Sequence, residues 1–541
     1  MMKTTIRKIA VVVAAALFSL ALGAQNPYMP LWEFIPDGEP YVFDDPDNPG
    51  HQRVYVYGSH DILEKFYCGR DQVVWSAPVE NLAQWRCDGV IFESKYDADG
   101  NLLNPEGIGD VLYAPDVCEV KAADGSKKYY LYPNVQDRER NNLVAVADRP
   151  DGPFVPCNFS KDDPRKTEGP FGFDPAVLMD DDGRAYGYWG FGRSRACELD
   201  PATMSTVKPG TEIIEDMIPG FQSGDNTFRF YEASSIRKIK DKYVFVFSRS
   251  TAEGEEGLPS SNYTLAYCYS EHPLGPWTYG GTIIDGRGKE LRPDGSYAIT
   301  GVVNGNTHGS ICRIGDRWWV FYHRQAGTCE YSRQAMVAPL RVDVKEGPGG
   351  YVHIKEAEFT SEGFAIEGLD PYKRYPAGIA CYFTGPEPAH QEYPNVVYPG
   401  SHIGIFRGQY DGVGDPYAPQ YNRCTMEHNT SGSVVGYKYF NFSGTYGKKG
   451  LTLSLNLTPG AVDGRIDVYI DRPSEDEGGV KIGSLAVKGD SRQPAATPVE
   501  KLISVSNLTH FNGKHALFFV FTSPTQGESI CTLNDFCFVS R

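Results

Sequence analysis

Short runs of alternating aromatic and β-branched residues, each joined to a neighbouring run by a polar turn, recur along the first two thirds of the chain. The clearest copy is Phe228–Ser248, where a run led by Glu232 is followed by the turn IKDK and then by Tyr243–Phe247. Alternation of this kind is typical of a β-strand. The stretch therefore predicts a β-hairpin that presents Glu232 at its head.

Four more copies share one layout: an acid or histidine, a first strand, a polar turn and an aromatic-rich second strand. The leading residues of the five copies are Asp37, Asp116, Asp174, Glu232 and His308, and their second runs are VYVYG, YYLY, AYGYW, YVFVF and WWVFYH. Repeats of a few dozen residues that consist mostly of strands predict a propeller, because a ring of blades buries both faces of each sheet. Five copies predict five blades.

The innermost strand of each propeller blade lines the axis, so the five leading residues are expected to converge in one central pocket. A single acid at the start of a strand is more often the cap of a turn. Several carboxylates at matching places in a repeat would repel one another without a catalytic or binding purpose. The set therefore indicates a functional site.

The repeat pattern stops near His353, after the Gly/Pro-rich segment KEGPGG. From residue 354 onward, strand-length runs such as GLTLSLNL, GRIDVYID and KHALFFVF are separated by turn residues, which predicts an antiparallel β-sandwich of jelly-roll type. The predicted fold class is all-β, with a five-bladed propeller over residues 25–353 and the sandwich over residues 354–541.

The chain begins with Lys3, Arg7 and Lys8, followed by the apolar core Ile9–Leu22 and two small residues. This pattern predicts a secretory signal peptide over residues 1–24. The core is too short for a membrane span, and no later stretch is long enough for one. No cysteine follows the core, so a bacterial lipoprotein anchor is not indicated. We expect a periplasmic or extracellular protein without a lipid anchor.

The 541 residues carry a formal net charge of −17. This charge argues against nucleic acid or an anionic membrane as a partner. Twelve cysteines are spread without CxxC spacing, so a zinc site is not suggested. The sequence does not address protein partners.

Residues 26–353 resemble glycoside hydrolase family 43 in the identity and order of their motifs, which are IPDGEPYVFDD, YAPDV, FDPAVLMDDDGRAYGYWG, FYEASSIRKI and NTHGS. The resemblance implies a five-bladed propeller with a catalytic carboxylate trio on its axis and a carbohydrate substrate. It implies an inverting, exo-acting hydrolase that removes terminal sugars from plant-type polysaccharides or oligosaccharides. The leading candidate activity is that of an α-L-arabinofuranosidase. The alternatives are a β-D-xylosidase or β-galactosidase of the same family, an inactive sugar-binding propeller, and a scaffold for protein partners.

Carried over residue by residue, the resemblance implies that Asp37 is the general base and Glu232 the general acid. Asp174 is then the residue that tunes the pKa of the acid and orients it, and Asp116 shapes the pocket. The family's first motif usually has Asp followed directly by Pro. Here the sequence is Asp-Gly-Glu-Pro, which leaves Glu39 as a rival for the base.

Arg333 resembles an arginine of the last blade that contacts substrate or forms an ion pair, and a surface position is the alternative. His308 resembles an axial histidine that binds a cation, often Ca²⁺, through water. The resemblance implies no organic cofactor. The insertions at residues 65–107 and 248–307 are expected to shape the pocket wall.

The C-terminal part resembles carbohydrate-binding module family 6. Glu356 and Glu358 look like the structural calcium ligands of that module, with a solvated strand edge as the alternative. The residues that could form a sugar platform, or else belong to the core, are Tyr437, Tyr439, Tyr446 and Asn534. Because every candidate acid precedes His353, a fragment that ends there is expected to retain the catalytic pocket.

Overall fold

The computed structural model describes residues 24–302, 305–408, 410–448, 450–490, 492, 496–506 and 508–540. The predicted signal peptide, apart from its last residue, lies outside the described residues. In the described part of the chain, no helix combines the length and apolar character needed to cross a membrane. The fold is all-β, and the helices described are short 3-10 turns at Glu255–Gly257, Ala377–Ile379, Phe442–Gly444 and Leu508–His510.

Five antiparallel sheets, here called blades 1 to 5, form the first part of the molecule. Blade 1 contains Glu39–Asp44, Gln52–Tyr57, Gln72–Pro78 and Arg86–Phe92; blade 2 contains Asp116–Lys121, Lys127–Tyr132, Ala145–Ala147 and Val155–Pro156; blade 3 contains Ala176–Met179, Ala185–Trp189, Arg195–Leu199 and Ile214–Glu215. Blade 4 contains Phe230–Ile239, Lys242–Arg249, Thr264–Ser270 and Thr278–Asp285, and blade 5 contains Ser310–Ile314, Arg317–Gln325 and Arg333–Leu340. The strands of each blade follow one another in space in chain order.

Side chains of the second strand in blade 1 show how the blades stack. Val54 and Val56 pack in one core cluster with Phe321 of blade 5, whereas Tyr55 packs in another with Leu131 of blade 2. Successive side chains of a strand point to opposite faces of the sheet. Each blade is therefore buried on both faces, as the aromatic and β-branched runs predict.

The ring closes between its first and last blades. Gly38 and Gly309 form a parallel bridge next to the inner strands of blades 1 and 5, which contact each other. A Cβ atom on Gly309 would lie 2.0 Å from the carbonyl oxygen of Phe321, so this close approach requires glycine. The closed ring is the predicted five-bladed propeller.

Two packed sheets form the second part of the molecule. Sheet A contains His402–Gly404, Thr425–Asn429, Cys531–Ser540, Leu451–Pro459 and Val499–Ser504, with Tyr375–Pro376 also paired to Cys531–Ser540; sheet B contains Tyr382–Thr384, Val434–Asn441, Lys514–Thr522, Gly464–Ile470 and Val480–Val487. Alternate leucines of Leu451–Pro459 pack against the alternate apolar residues of Gly464–Ile470. This packing gives the predicted β-sandwich.

Three two-stranded hairpins lie outside these sheets. They are Lys289–Leu291 with Tyr297–Ile299, Val342–Lys345 with Tyr351–Ile354, and His390–Glu392 with Asn395–Val397. The predicted boundary at residues 353/354 falls at the end of the second hairpin. The third hairpin, called the 390–397 hairpin below, belongs to the sandwich part of the chain.

The two glutamates expected to hold calcium in the sandwich form ion pairs instead. Glu356 lies 2.9 Å from Nζ of Lys289, and Glu358 lies 3.1 Å from Nζ of Lys438. Each carboxylate therefore has its own lysine partner, and the calcium interpretation of this pair is wrong. The solvated strand edge also fails, because residues 355–358 are not in a strand.

The predicted sugar platform of the sandwich does not form as one surface. Tyr437 is fully buried, and its hydroxyl donates to the carbonyl oxygen of Ala377 at 2.8 Å. Tyr446 is 58% exposed, and Asn534 lines a separate cavity. The core alternative is therefore correct for Tyr437.

The segment of residues 24–35 lies between propeller and sandwich. The backbone N–H of Asn26 donates to the carbonyl oxygen of Ser361 at 3.0 Å, and that of Leu31 donates to Oδ1 of Asn422 at 2.6 Å. The side chain of Leu31 is buried in the core cluster of the sandwich. The start of the described chain thus joins the two parts.

Candidate active site

The inner strands of blades 1, 3, 4 and 5 bring four of the five predicted leading residues to one cavity on the propeller axis. Asp37, Asp174 and His308 each lie two residues before the inner strand of their blade, and Glu232 is the third residue of its strand. These four side chains line one cavity of about 450 Å³ together with Arg333. The structure thus brings together all five predicted site residues.

Asp37 is buried and held by several hydrogen bonds. Its φ of 60° is left-handed, a conformation that aspartate adopts more readily than most residues. Ser59 Oγ donates to Oδ2 at 2.6 Å, and Nη1 of Arg333 donates to Oδ1 at 2.8 Å. The backbone N–H of Asp37 donates to Nδ1 of His323 at 3.2 Å. These contacts fix the carboxylate in one orientation.

Arg333 keeps Asp37 ionised. Burial on its own would raise the pKa of Asp37, but the charge of Arg333, with smaller help from neighbouring groups such as Ser59, brings the pKa below its ordinary value. The group is therefore a carboxylate at neutral pH. An ionised carboxylate in a cavity can accept a proton from water or substrate.

Arg333 is only 1% exposed, so the surface alternative is wrong. Its Nε and Nη2 donate to the two carboxylate oxygens of Asp61, both at 2.9 Å, while Nη1 reaches Asp37. Such bidentate pairing gives the guanidinium a fixed plane. Arg333 therefore forms the ion pair that the sequence analysis considered, and it does so at the cavity floor.

Asp174 accepts hydrogen bonds from two neighbouring blades. Nδ2 of Asn134 donates to Oδ1 at 2.9 Å, and the backbone N–H of Ala233 donates to Oδ2 at 2.9 Å. Nδ1 of His308 lies 3.4 Å from Oδ2. Burial would lower the pKa of His308, but Asp174 and then Asp37 raise it to about 9. His308 is therefore protonated at neutral pH and offsets part of the negative charge.

A β-bulge positions Glu232. The pairing of Phe230–Ile239 with Lys242–Arg249 shifts register between Glu232 and Ser235, and Ala233 has a φ of 67°. A bulge of this kind bends a strand and re-aims its side chains next to active sites. Here it turns the N–H of Ala233 to Asp174 and leaves Glu232 in the cavity wall.

Glu232 has a pKa well above its ordinary value. Burial is the larger cause, and repulsion from the carboxylate of Asp174 is the next. The pKa values of Glu232 and Asp37 are thus displaced in opposite directions inside one cavity. A protonated acid and an ionised base are a pair suited to acid–base catalysis.

The rival base, Glu39, lies outside the cavity. It is 1% exposed, and Nη2 of Arg237 donates to its Oε2 at 2.8 Å. Asp116 is also absent from the cavity lining. It accepts from the hydroxyl of Tyr41 at 2.6 Å and from the N–H of Val177 at 2.6 Å. Asp116 therefore ties three blades together and does not form the pocket wall.

Positive charge already lies beside the carboxylates near the propeller axis. The guanidinium of Arg237 and the protonated His308 both lie beside Glu39. Within the described ranges, no set of three or more His, Cys, Asp or Glu side chains is arranged to hold a metal ion. These residues do not fit a directly coordinated cation. Calcium held through water by His308 stays a prediction.

An aromatic wall, made of Tyr113, Phe173, Phe191 and Tyr231, flanks the cavity. Neighbouring ring centroids along it are 6.3, 5.3 and 5.1 Å apart, and Phe191 is 53% exposed. Half-exposed rings offer flat apolar faces to a ligand. This wall could not be predicted from the sequence, because an aromatic residue at a strand end has no pattern that separates core from cavity.

The two predicted insertions also reach the cavity. Residues 65–107 contribute Tyr67 and Cys68, and residues 248–307 contribute Asn262, Gly305 and Asn306. Glu330, a further carboxylate that the sequence analysis missed, lies beside Tyr67. It accepts a hydrogen bond from the Tyr67 hydroxyl.

Two lining residues come from the sandwich. Gln391 and Tyr393 belong to the 390–397 hairpin and contribute to the same cavity as Asp37 and Glu232. A fragment that ends at His353 would lack both side chains. It would keep every candidate acid, so whether it retains a catalytic pocket depends on its folding.

Comparison with known proteins gives concordant results. The model of Glycosyl hydrolases family 43 matches residues 55–347. A xylosidase/arabinosidase of Thermoclostridium stercorarium is 34% identical over 434 residues, which cover 77% of this chain and 83% of that protein. An arabinoxylan arabinofuranohydrolase of Paenibacillus polymyxa is 27% identical over 532 residues, covering 94% of this chain and 71% of that protein.

Among solved structures, a family 43 arabinoxylan arabinofuranohydrolase from Bacillus subtilis, in complex with cellotetraose, is 21% identical. The match covers 96% of this chain and 99% of that chain, with a TM-score of 0.44.

Proposed function

The chain belongs to glycoside hydrolase family 43, and from this premise we propose that it is an inverting, exo-acting α-L-arabinofuranosidase acting on plant-type polysaccharides or oligosaccharides. One observation carries the proposal: Glu232, with a raised pKa, and Asp37, with a lowered pKa, line the same buried cavity. Hydrolysis of a glycosidic bond by two carboxyl groups needs one protonated acid and one ionised carboxylate, which acts as the base in an inverting enzyme.

In the proposed mechanism, Glu232 gives its proton to the glycosidic oxygen as the bond from that oxygen to the anomeric carbon breaks. Asp37 removes a proton from a water molecule, whose oxygen attacks the anomeric carbon from the opposite face. Asp174 raises the pKa of Glu232, so that the acid is protonated before the reaction. Arg333 orients Asp37. In inverting enzymes the two carboxyl groups are about 6.5–9.5 Å apart, which leaves room for the water.

The closed floor of the cavity supports exo action. Beyond Asp37 and His308, the axis is filled by Arg237, which donates to Glu39 and to the carbonyl oxygen of Pro40. Substrate must therefore enter from the mouth of the cavity, and we propose that the sugar that reaches Asp37 and Glu232 is a terminal unit.

The choice of sugar is supported by the names of relatives. Proteins of Thermoclostridium stercorarium and Humicola insolens are called xylosidase/arabinosidase, and two others are called arabinoxylan arabinofuranohydrolase. A β-D-xylosidase is accordingly the second candidate. The assays below also test two further alternatives, a β-galactosidase and an inactive sugar-binding propeller.

The test combines a substrate panel with product stereochemistry. We expect turnover of p-nitrophenyl α-L-arabinofuranoside, and proton NMR should show an inverted anomer as the first product. Glu232→Gln should lose about 10²–10⁴-fold in kcat on arabinoxylan oligosaccharides. The loss should be smaller on activated aryl glycosides, because their aryl leaving group departs with little protonation. Asp37→Asn should lose activity on both. A retained anomer, or no turnover of any glycoside by the wild type, would contradict the proposal.

The sandwich is proposed to bind carbohydrate as a separate module. Support comes from a cavity of about 310 Å³ in which Asn456, Asn534 and Asp535 lie with Phe406. In a Glu232→Gln background, Asn534→Ala should weaken retention on insoluble arabinoxylan. Unchanged retention would argue against this site.

We also propose that the protein is exported, that its signal peptide is removed near Ala24, and that no lipid anchor is added. N-terminal sequencing of secreted protein would test this. A hydrated calcium ion at His308 is tested by dialysis against a chelator. The proposal requires activity to fall and to return with Ca²⁺.

A further inference from the structure

The 390–397 hairpin of the sandwich lies at the mouth of the propeller cavity. Gln391 lies in the first strand of the hairpin and Tyr393 in its turn, and both line the cavity, so they mark the face of the hairpin that meets it. We propose that this face binds the sugar next to the one removed, so that the sandwich completes the substrate site. This inference rests on the proposed glycosidase function.

The hairpin is fixed to blade 5 through its backbone. The N–H of Val396 donates to the carbonyl oxygen of Thr328 at 2.9 Å, and the N–H of Glu330 donates to that of Pro394 at 3.0 Å. An antiparallel bridge between Cys329 and Asn395 lies between these bonds. The hairpin therefore extends the turn before the last strand of blade 5.

A side-chain contact holds the same face. Nε2 of Gln391 donates to Oε1 of Glu330, while the hydroxyl of Tyr67 donates to Oε2. Glu330 is 4% exposed, and burial raises its pKa. Three segments that are distant in the chain thus meet at one buried carboxyl group. This arrangement places Gln391 accurately at the cavity edge.

Tyr393 supplies the surface for a ligand. Its side chain is 67% exposed, although its backbone belongs to the docked hairpin. Its hydroxyl lies beside that of Tyr331, whose pKa is raised to about 12, first by burial and then by a hydrogen bond with Tyr393. A tyrosine ring with a fixed backbone offers a flat apolar face at low entropic cost. A neutral pyranose, with apolar C–H faces and hydroxyl edges, matches such a ring next to an amide.

The position of the hairpin indicates which sugar it contacts. The removed sugar must reach Asp37 and Arg333 at the buried floor. The exposed ring of Tyr393 lies at the mouth, where the rest of the substrate remains. We therefore assign Gln391 and Tyr393 to the leaving-group side, which in an arabinoxylan is the xylosyl backbone.

The test compares two substrates in the full-length protein. For Tyr393→Ala and Gln391→Ala, we expect kcat/KM on an arabinoxylan oligosaccharide to fall about tenfold, mainly through a higher KM. A loss of this size is typical when one important binding residue is truncated. On p-nitrophenyl α-L-arabinofuranoside, whose aryl group takes the place of the backbone sugar but has none of its hydroxyl groups, the loss should be clearly smaller. Tyr393→Phe keeps the ring and should behave like the wild type on both.

Glu392→Ala is the matched control, because Glu392 lies on the opposite, exposed face of the hairpin. The inference is overturned if Tyr393→Ala leaves both substrates unchanged, or if it lowers both equally together with the Tm. If the wild type hydrolyses neither substrate, the proposed function fails. The inference is then decided by calorimetry with the oligosaccharide, where Tyr393→Ala must lower affinity and Glu392→Ala must not.

Discussion

Arg333 is the residue that sets the ionisation of Asp37. Its guanidinium bridges two buried carboxylates, Asp37 and Asp61, at 2.8–2.9 Å. Removal of one partner from a buried ion pair typically costs about 3–5 kcal/mol, because the other charge is left unpaired. In this site the cost is expected to appear in both stability and pH dependence.

We predict that Arg333→Met moves the acidic limb of the kcat/KM profile to higher pH. The base must be deprotonated to act, and without the positive charge burial raises the pKa of Asp37. Activity should therefore be lost first at low pH. The measurement is kcat/KM from pH 4 to 9 on an aryl glycoside, with circular dichroism to verify folding. Arg333→Lys, which keeps the charge, should shift the limb less. An unmoved acidic limb in a folded Arg333→Met variant would refute the assigned role.

Asp174 is expected to set the basic limb of the same pH profile of kcat/KM. Glu232 must be protonated to act, and the charge of Asp174 is the second cause of its raised pKa. We predict that Asp174→Asn lowers the pKa of Glu232 and moves the basic limb to lower pH. Asn134→Ala removes a hydrogen bond to Asp174 but keeps the charge, so its basic limb should stay in place. Equal shifts in the two variants would show that charge is not the cause.

At the scale of single elements, the bulge in blade 4 converts an ordinary strand into a support for the acid. Ala233 occupies the left-handed region there, which costs a residue with a Cβ roughly 1–2 kcal/mol. The surrounding strand pairs and the bond to Asp174 maintain this conformation.

The same substitution at two alanines separates strain from packing. Ala233 and Ala266 are both fully buried in blade 4, but only Ala233 has a positive φ. Ala233→Gly should be more stable than Ala266→Gly by about 1–2 kcal/mol, because glycine removes the strain only at the first site. Urea unfolding midpoints measure the difference. Equal midpoints would mean that the bulge stores no strain.

The elements that the sequence predicted well are those with a local pattern. Each inner strand is led by a polar residue and followed by an aromatic-rich partner, so Asp37, Asp174, Glu232 and His308 could be placed on the axis without any long-range information. The propeller and the sandwich followed from the spacing of runs and turns. The family resemblance added the separate roles of the acids.

The elements that were missed depend on contacts between distant segments. Asp61 and Arg333 are separated by 272 positions, and nothing near either residue signals their pairing. Gln391 meets Glu330 across the two domains. In the sandwich, strand alternation could not separate a core tyrosine such as Tyr437 from a platform. Local patterns determine which face of a strand is buried, but not which distant segment covers it.

At the scale of the whole molecule, the propeller and the sandwich share their packing. Arg324 of blade 5 is fully buried and donates to the carbonyl oxygens of Ala380 and Gly378 at 2.7 and 2.5 Å. Tyr263 of the propeller belongs to the core cluster of the sandwich. The propeller therefore has buried side chains that only the sandwich covers.

We predict that a fragment of residues 25–353 is insoluble or aggregates, because separation leaves the Arg324 charge and apolar surface without partners. Size-exclusion chromatography of the fragment, beside the full-length chain, is the measurement. The full-length protein should unfold in one calorimetric transition. A soluble monomeric fragment with the full-length kcat on an oligosaccharide would contradict this view.

The placement of residues 24–35 also constrains when the protein can mature. The partners of Asn26 and Leu31 are Ser361 and Asn422, which leave the ribosome several hundred residues later. Contacts of such sequence separation form slowly, because a long loop must close first. The residues that are synthesised first are therefore among the last to reach their final places. Until the C-terminal strands are synthesised, the incomplete protein exposes apolar surface that favours aggregation.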